Sequence, residues 1–288
     1  MTTTRRNVLA GAALAASFSL SPAFAQAPTE IELFFPVPVD GQLARDMAAL
    51  IKEFNEKNPS IKATPVYTGS YDETLIKTRA AMKAGKPPAA VIMSANFLLD
   101  LKIEGEIQPM DGLIKADGKT NDQFMGQFFD ALHGNAVLDR QVYGVPFHNS
   151  TPLLYVNTDH LKEAGLDPDK LPANWEELVT TAKKLTKREG DRVTRWGMMM
   201  PSNYDYGGWI LQALTHSNGG QWFNVDYGGE VYYDTPSMLG ALTFWSDLIA
   251  KHKVHPAGVQ AGGAVSSAFL SGQASMMLLS TGSLTHIR

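Results

Sequence analysis

From residue 31 onward, short apolar runs alternate with amphipathic stretches. Residues 31–37 (IELFFPV) suit a buried strand. Leu43, Met47, Leu50, Ile51 and Phe54 follow at spacings that line one helical face. Asn58-Pro59 stops that helix, because proline lacks an amide hydrogen and disfavours helical backbone in the residue before it. Residues 61–66 read as the next strand. Ser70 and Glu73 have the spacing of a capping box that opens a helix through Met82, with Gly85 closing it. Residues 89–94 return as a strand, and Phe124, Met125, Phe128, Phe129 and Leu132 form a further helical pattern.

Residues 146–157 (PFHNSTPLLYVN) run extended, with polar and apolar positions mixed, and a second strand–helix series begins after them. Asn174 caps a helix whose first turn carries Glu176 and Glu177, where the helix dipole favours acids. Residues 196–200 are a buried-strand candidate. Asp234 and Pro236 open a helix with Leu239, Leu242, Trp245, Leu248 and Ile249 inward. Gly272 precedes a strand at 274–279, which gives way to Ser280-Thr281-Gly282-Ser283. Alternation of this kind predicts an α/β fold. Residues 283–288 start an element without finishing it, so the chain is expected to be cut short.

The first 25 residues change the picture. Arg5 and Arg6 precede an apolar, small-residue stretch from Val8 to Leu20, and Ala23-Phe24-Ala25 is a small-x-small cleavage pattern. The reading is a secretory signal, cleaved after Ala25 and excluded from the fold. The residues from Thr4 to Leu9 resemble a twin-arginine export signal, and an ordinary signal carrying two arginines fits them as well. Removing residues 1–25 takes away two arginines and no acid, so the net charge moves from −4 to −6. A mildly acidic chain without basic runs argues against nucleic acid and anionic membrane as partners. Cysteine is absent, which removes thiol nucleophiles, thiolate metal sites and disulfides.

Enzyme and metal chemistry find little support. His252 and His255 are three apart near a helix end, where the dipole explains histidine without a metal. Met198 to Met200 could suggest thioether ligands, but a continuous apolar strand accounts for them better. His148-Asn149-Ser150 faintly suggests a hydrolase, yet neighbouring side chains on an extended segment face opposite ways. Neither a G-x-S-x-G elbow nor a phosphate loop is present. No cofactor is expected, and an exported hydrolase remains the different-class alternative.

The pieces FNEKNP, YTGSYDETL, KPPAAVIM, PFHNSTPLLYVNTDHLKEAGLDP, NWEELVTTAKKL and LSGQASMMLLSTGSL together resemble the family 1 extracellular solute-binding proteins of ABC importers. Within that family the glycerol-3-phosphate receptors are most similar. The resemblance implies a two-lobed, type II-like periplasmic binding protein: lobe 1 at 26–151, lobe 2 at 152–288, and solute held between them. It also implies that members run beyond residue 288, so this chain would lack the return crossing. It implies a periplasmic monomer that hands solute to a membrane permease. The favoured solute is sn-glycerol 3-phosphate or a glycerophosphodiester, and a sugar or oligosaccharide is the rival.

By the same resemblance, Tyr71, Ser150 and Ser280 match ligand-binding positions. Tyr206 and Trp209 stand where the family carries an aromatic wall. Ala95 stands where the family places a glutamate that bonds the glycerol hydroxyls, with Asn96 as a possible substitute or a helix cap. The resemblance further implies an anion-binding arginine beyond residue 288, so hydroxyls and helix ends would carry the anion alone, and weak binding is expected.

Overall fold

The computed structural model describes residues 27–36, 42–222 and 230–287. The predicted export segment and cleavage site lie outside these residues.

The N-terminal group of elements is built on a parallel sheet of order β2-β1-β3, from β1 (Thr29–Pro36), β2 (Ile61–Gly69) and β3 (Ala90–Val91). β1 and β2 run in register from Thr29↔Ile61 to Phe35↔Tyr67 and slip by one at Pro36↔Gly69. The slip ends the pairing at Gly69, whose φ of +105° suits glycine. A Cβ there would sit 1.9 Å from the Glu73 carboxylate. Helix α1 (Gln42–Lys57) packs on β2, and α2 (Tyr71–Lys83) returns across β1 and β2. Strand β3 is shorter than the predicted 89–94, because the chain leaves the sheet at Ile92 for a turn at Ala95–Phe97 and α3 (Leu98–Ile103). The predicted α1 face is only partly inward. Met47 is buried while Leu50 and Phe54 are exposed, because α1 rests on the edge strand and only one row is covered.

Short elements follow: α4 (Asp111–Ala116), α5 (Asn121–Met125), and the hairpin β4 (Val137–Leu138) with β5 (Gln141–Val142). The helix predicted across 124–132 is not one helix. A capping box of Thr120 and Gln123 starts α5 early, Gly126 ends it, and Asp130–Asn135 forms a separate 3-10 turn. Phe129 consequently projects into solvent, 84% exposed. Ile114, Met125, Ala136 and Val142 make the small core beneath these turns.

The C-terminal group centres on β9 (Met276–Ser280). On one side lies β6 (Pro152–Val156), antiparallel from Pro152↔Ser280 to Val156↔Met276. On the other, residues 196–199 run parallel to it, with bridges Trp196↔Ala274 and Met199↔Met277. The buried-strand expectation for 196–200 therefore holds for burial, since Met198, Met199 and Met200 are 5% exposed or less, while the segment pairs through two isolated bridges and forms no continuous strand. Around this sheet stand α6 (Thr158–Glu163), α7 (Trp175–Leu185), the hairpin β7 (Lys187–Glu189) and β8 (Arg192–Arg195), α8 (Tyr204–Ser217), α9 (Pro236–Ala250), α10 (Gly262–Leu270) and α11 (Leu284–Ile287).

The main core joins Leu161, Leu185, Met198, Met200, Ile210, Leu248 and Met276. α7 and the 196–199 segment touch so closely that a Cβ on Gly197 would lie 2.0 Å from the Ala182 carbonyl oxygen. Helix α9 departs from its predicted face. Thr235, not Asp234, caps it, and Met238, Ala241 and Leu248 point inward while Leu239 and Leu242 are exposed. The buried stripe lies one position before the two leucines, so they sit about 100° round the helix. Trp245 and Ile249 are half-buried.

Candidate functional site

Both sheets send their strand ends into loops and helix starts, the place where open α/β sheets hold ligands. In the N-terminal sheet these ends are Gly69-Ser70-Tyr71 after β2 and Ser94 to Phe97 after β3. In the C-terminal sheet they are the stretch from Pro201 to Tyr204 after the 196–199 segment, and Ser280 to Ser283 after β9.

Tyr71 is the first residue of α2. The capping box is formed as the sequence predicts: Glu73 N donates to Ser70 Oγ at 3.2 Å, and Ser70 N to Glu73 Oε2 at 2.7 Å. The box fixes where α2 begins and so where the Tyr71 ring leaves the sheet. The ring lies end to end with that of His148, with centroids 6.5 Å apart and planes 26° apart, and its hydroxyl is 2.8 Å from His148 Nε2. Phe147 meets the His148 ring edge-on at 5.5 Å. The His148 ring keeps an exposed edge, yet desolvation by the protein around it pushes its pKa below the ordinary histidine value.

Ser150 is half-buried two residues further along the same extended segment, and Thr151 ties that segment to the end of β9. Thr151 N donates to Thr281 Oγ1 at 3.1 Å, and Thr281 N donates to Thr151 O at 3.0 Å. Ser280 precedes Thr281 and is 9% exposed. Its Oγ accepts the Gly282 N–H at 3.0 Å, which leaves its own hydrogen to be donated. Its carbonyl accepts from Tyr155 Oη at 2.8 Å, and burial raises the Tyr155 pKa. Ser280 leads into a three-residue 3-10 turn and then the four-residue α11, too short for an appreciable dipole. The structure thus brings the segments that carry Tyr71, Ser150 and Ser280 into one strip, through the Tyr71–His148 contact and the Thr151–Thr281 pair, with no hydrogen bond among the three side chains themselves.

Tyr206 and Trp209 lie on α8, edge-on to each other at 5.8 Å and 75°. Both are half-buried, and both also serve the interior. Trp209 packs on the main core, while Tyr206 packs with Met199, Met277 and Leu279 and lies where a Cβ on Gly262 would come within 2.8 Å. Ala95 and Asn96 are exposed. The amide of Asn96 is 3.4 Å from Ser94 Oγ, so Ser94 is the cap there and Asn96 stands inside the turn.

Sequence reasoning missed three residues. His148 was set aside with the hydrolase reading, although it lies two residues from Ser150 and shares its face of an extended segment. Phe97 and Tyr204 stack at 6.1 Å and 12°, joining the loop after β3 to the start of α8. Nothing local in the sequence marks that pair, since the contact depends on how the two sheets meet.

Other features are structural. His255 is buried, between the Met200 N–H (2.9 Å) and the Pro256 carbonyl (2.7 Å). Among the described residues no group of three or more His, Asp or Glu side chains is placed to hold a metal. None of their helices is long and apolar enough to cross a membrane. An open cavity of about 490 Å³ between α1 and β2 is lined by Ala48, Ile51, Ala63 and Pro65 among others, and by no residue of the strip.

The profile of bacterial extracellular solute-binding proteins matches residues 40–285. The sn-glycerol-3-phosphate-binding periplasmic protein of Pectobacterium atrosepticum is 27% identical over 96% of this chain and 61% of its own length. The Escherichia coli K12 protein of the same name is 27% identical over 92% and 59%. The chain thus spans about three-fifths of the length of these curated relatives. Among solved structures, an ABC transporter solute-binding protein from Thermotoga lettingae bound with alpha-D-tagatose superposes with a TM-score of 0.74 at 23% identity, covering 90% of this chain and 64% of that one. UgpB from Mycobacterium tuberculosis in complex with glycerophosphocholine gives 0.71 at 22%, covering 91% and 62%. These superpositions establish the α/β periplasmic-binding-protein fold, and the profile match establishes the lineage. The chain belongs to the bacterial extracellular solute-binding proteins.

Proposed function

We propose that this chain is the solute-capturing part of an ABC importer's receptor, and that it binds an sn-glycerol 3-phosphate or a glycerophosphodiester without transforming it. The observation that carries the reading is the strip itself. Tyr71, Ser150 and Ser280, on three separate stretches of chain, are linked by the Tyr71–His148 contact and the Thr151–Thr281 pair. All three bear hydroxyls. Neutral donors are suited to a phosphate, because hydrogen bonds to an ionised partner are about twice as strong as neutral ones. The curated relatives named for glycerol 3-phosphate support this solute class.

In this reading residues 26–151 form one lobe and 152–288 the other, and solute bridges them. Closure around solute is the state a membrane permease would recognise. Residues 1–25 direct export, with cleavage after Ala25, and the mature protein works as a periplasmic monomer.

A second reading has one observation in its favour. Ala95 is exposed and its side chain offers no acceptor, while Tyr206 and Trp209 offer half-buried aromatic rings, which suits a neutral sugar.

Calorimetry separates the two. Ser150→Ala with Ser280→Ala should weaken a phosphate-bearing ligand by at least about a hundredfold, since each of the two lost bonds to a charged group is worth about 1.5–3 kcal/mol. Sugar binding that survives the double change and fails with Tyr206→Ala would overturn the phosphate assignment.

A further inference from the structure

Besides the Thr151–Thr281 pair, the N-terminal and C-terminal groups meet where α2 touches α8 and where the Phe97 and Tyr204 rings pair. We infer that the Phe97–Tyr204 pair is a clasp. It favours the arrangement in which the two groups face each other, and so makes Tyr204 a positioning residue that strengthens capture without touching solute. The inference rests on the reading of these groups as two lobes that close on solute.

The two rings are mounted differently. Phe97 ends the 3-10 turn after β3 and is 4% exposed, so it is a fixed part of its own group. Tyr204 opens α8 and is 75% exposed, so its ring adds little to the core of its own group. Its backbone is nevertheless anchored. The Ser202 and Asn203 amides both donate to Gln260 O, at 2.8 and 3.2 Å, and Gln260 N donates to Ser202 Oγ at 2.9 Å. A large ring on a held backbone is thus presented to the opposite group, where it lies 12° from the plane of Phe97 with centroids 6.1 Å apart. That contact exists only while the groups are together.

Aromatic pairs at about this spacing contribute beyond the area they bury, enough to change an equilibrium about two- to tenfold. An apparent Kd is the intrinsic Kd divided by the fraction of molecules already in the binding-competent arrangement. Losing the clasp lowers that fraction and raises Kd by the same factor for every solute, whatever its chemistry. A residue that touches solute has no such uniform effect.

The first test needs no solute. The chain has no cysteine, so Leu113→Cys and Leu239→Cys, at exposed positions in the two groups, carry the only spin labels. Pulsed electron resonance reads the distance between them in the full chain. Tyr204→Ala should shift population from the wild-type distance to a second one, and Tyr204→Phe, which keeps the ring, should restore the wild-type distribution. In a Phe97→Leu background, which keeps apolar volume at the buried position, Tyr204→Ala should add nothing. An unchanged distribution in Tyr204→Ala, or an equal further shift in the Phe97→Leu background, overturns the inference.

Calorimetry with glycerophosphocholine and with maltose reads the solute side. For each solute that binds, Tyr204→Ala should weaken binding about two- to tenfold, by a common factor, and Tyr204→Phe should match wild type. Unchanged affinity in Tyr204→Ala overturns the inference. So does a loss confined to one of two bound solutes, or one that Tyr204→Phe shares, because either makes Tyr204 a solute contact. Binding of neither solute sinks the proposed function, and the label distances then decide the clasp.

Discussion

Changing His255 to leucine tests how the strand that leads into α8 is held. The ring is 2% exposed, and Met200 is fully buried. The Met200 amide can only donate, so Nε2, at 2.9 Å, must be the acceptor, and Nδ1 therefore carries the hydrogen given to Pro256 O at 2.7 Å. The neutral ring is thus the form the fold uses, and burial pushes its pKa down. Leucine fills similar space but leaves the Met200 N–H without a partner, at a cost of about 1–3 kcal/mol. Pro256 is half-buried, so its carbonyl can turn to water and adds less. A net loss of roughly 2–3 kcal/mol corresponds to a Tm lower by about 4–12 °C for a chain of this size.

Acid should erase the difference. With the folded pKa below the unfolded value of about 6.5, the contribution of His255 is complete above that value and is lost as pH falls through the folded one. Thermal melts followed by circular dichroism at pH 7.5 and 5.5 measure both effects. The wild-type advantage should be large at pH 7.5 and shrink at pH 5.5. His148, His160 and His252 also have lowered pKa values, so only the wild-type-minus-variant difference isolates His255. A variant within 1 °C of wild type at pH 7.5, or an advantage that grows in acid, would refute the reasoning.

Gly197→Ala should lower the free energy of unfolding by about 3 kcal/mol or prevent folding, because the new Cβ would overlap the Ala182 carbonyl, which is backbone and cannot swing away. Urea titration reads it. Asn174→Ala should cost about 1 kcal/mol by the same assay, through loss of the 2.9 Å cap to the Glu177 amide. Thr281→Val should remove the acceptor of the Thr151 amide while leaving the β6–β9 pairing in place. Hydrogen exchange at Thr151 should speed up with little change at Leu278.

Much of the fold was legible because it is locally encoded. The Ser70–Glu73 box, the Asn174 cap and the apolar run at 196–200 need only neighbours in sequence, and each is where the sequence puts it. The failures share a cause. Phe129, Leu50 and Leu239 fit a helical period, but burial requires a partner surface, and the period cannot say whether one exists. At the candidate site, the link of Ser150 to Ser280 spans 130 residues through Thr151 and Thr281, and that of Tyr71 to His148 spans 77. Such links arise from sheet order, which single-chain periodicity does not carry. The resemblance pointed to the hydroxyls. It did not point to the histidine between them, although its distance of two residues from Ser150 on an extended segment was a usable signal.

The central claim is that hydroxyls on three separate stretches of chain face one gap and hold a solute there. Amide chemical-shift mapping of the full chain during titration with glycerophosphocholine asks this most directly. The account predicts shifts concentrated at residues 69–72, 147–151 and 280–283, saturating together with a single Kd. Shifts confined to the α1–β2 cavity around Ile51 and Pro65, or spread over one sheet alone, would contradict it.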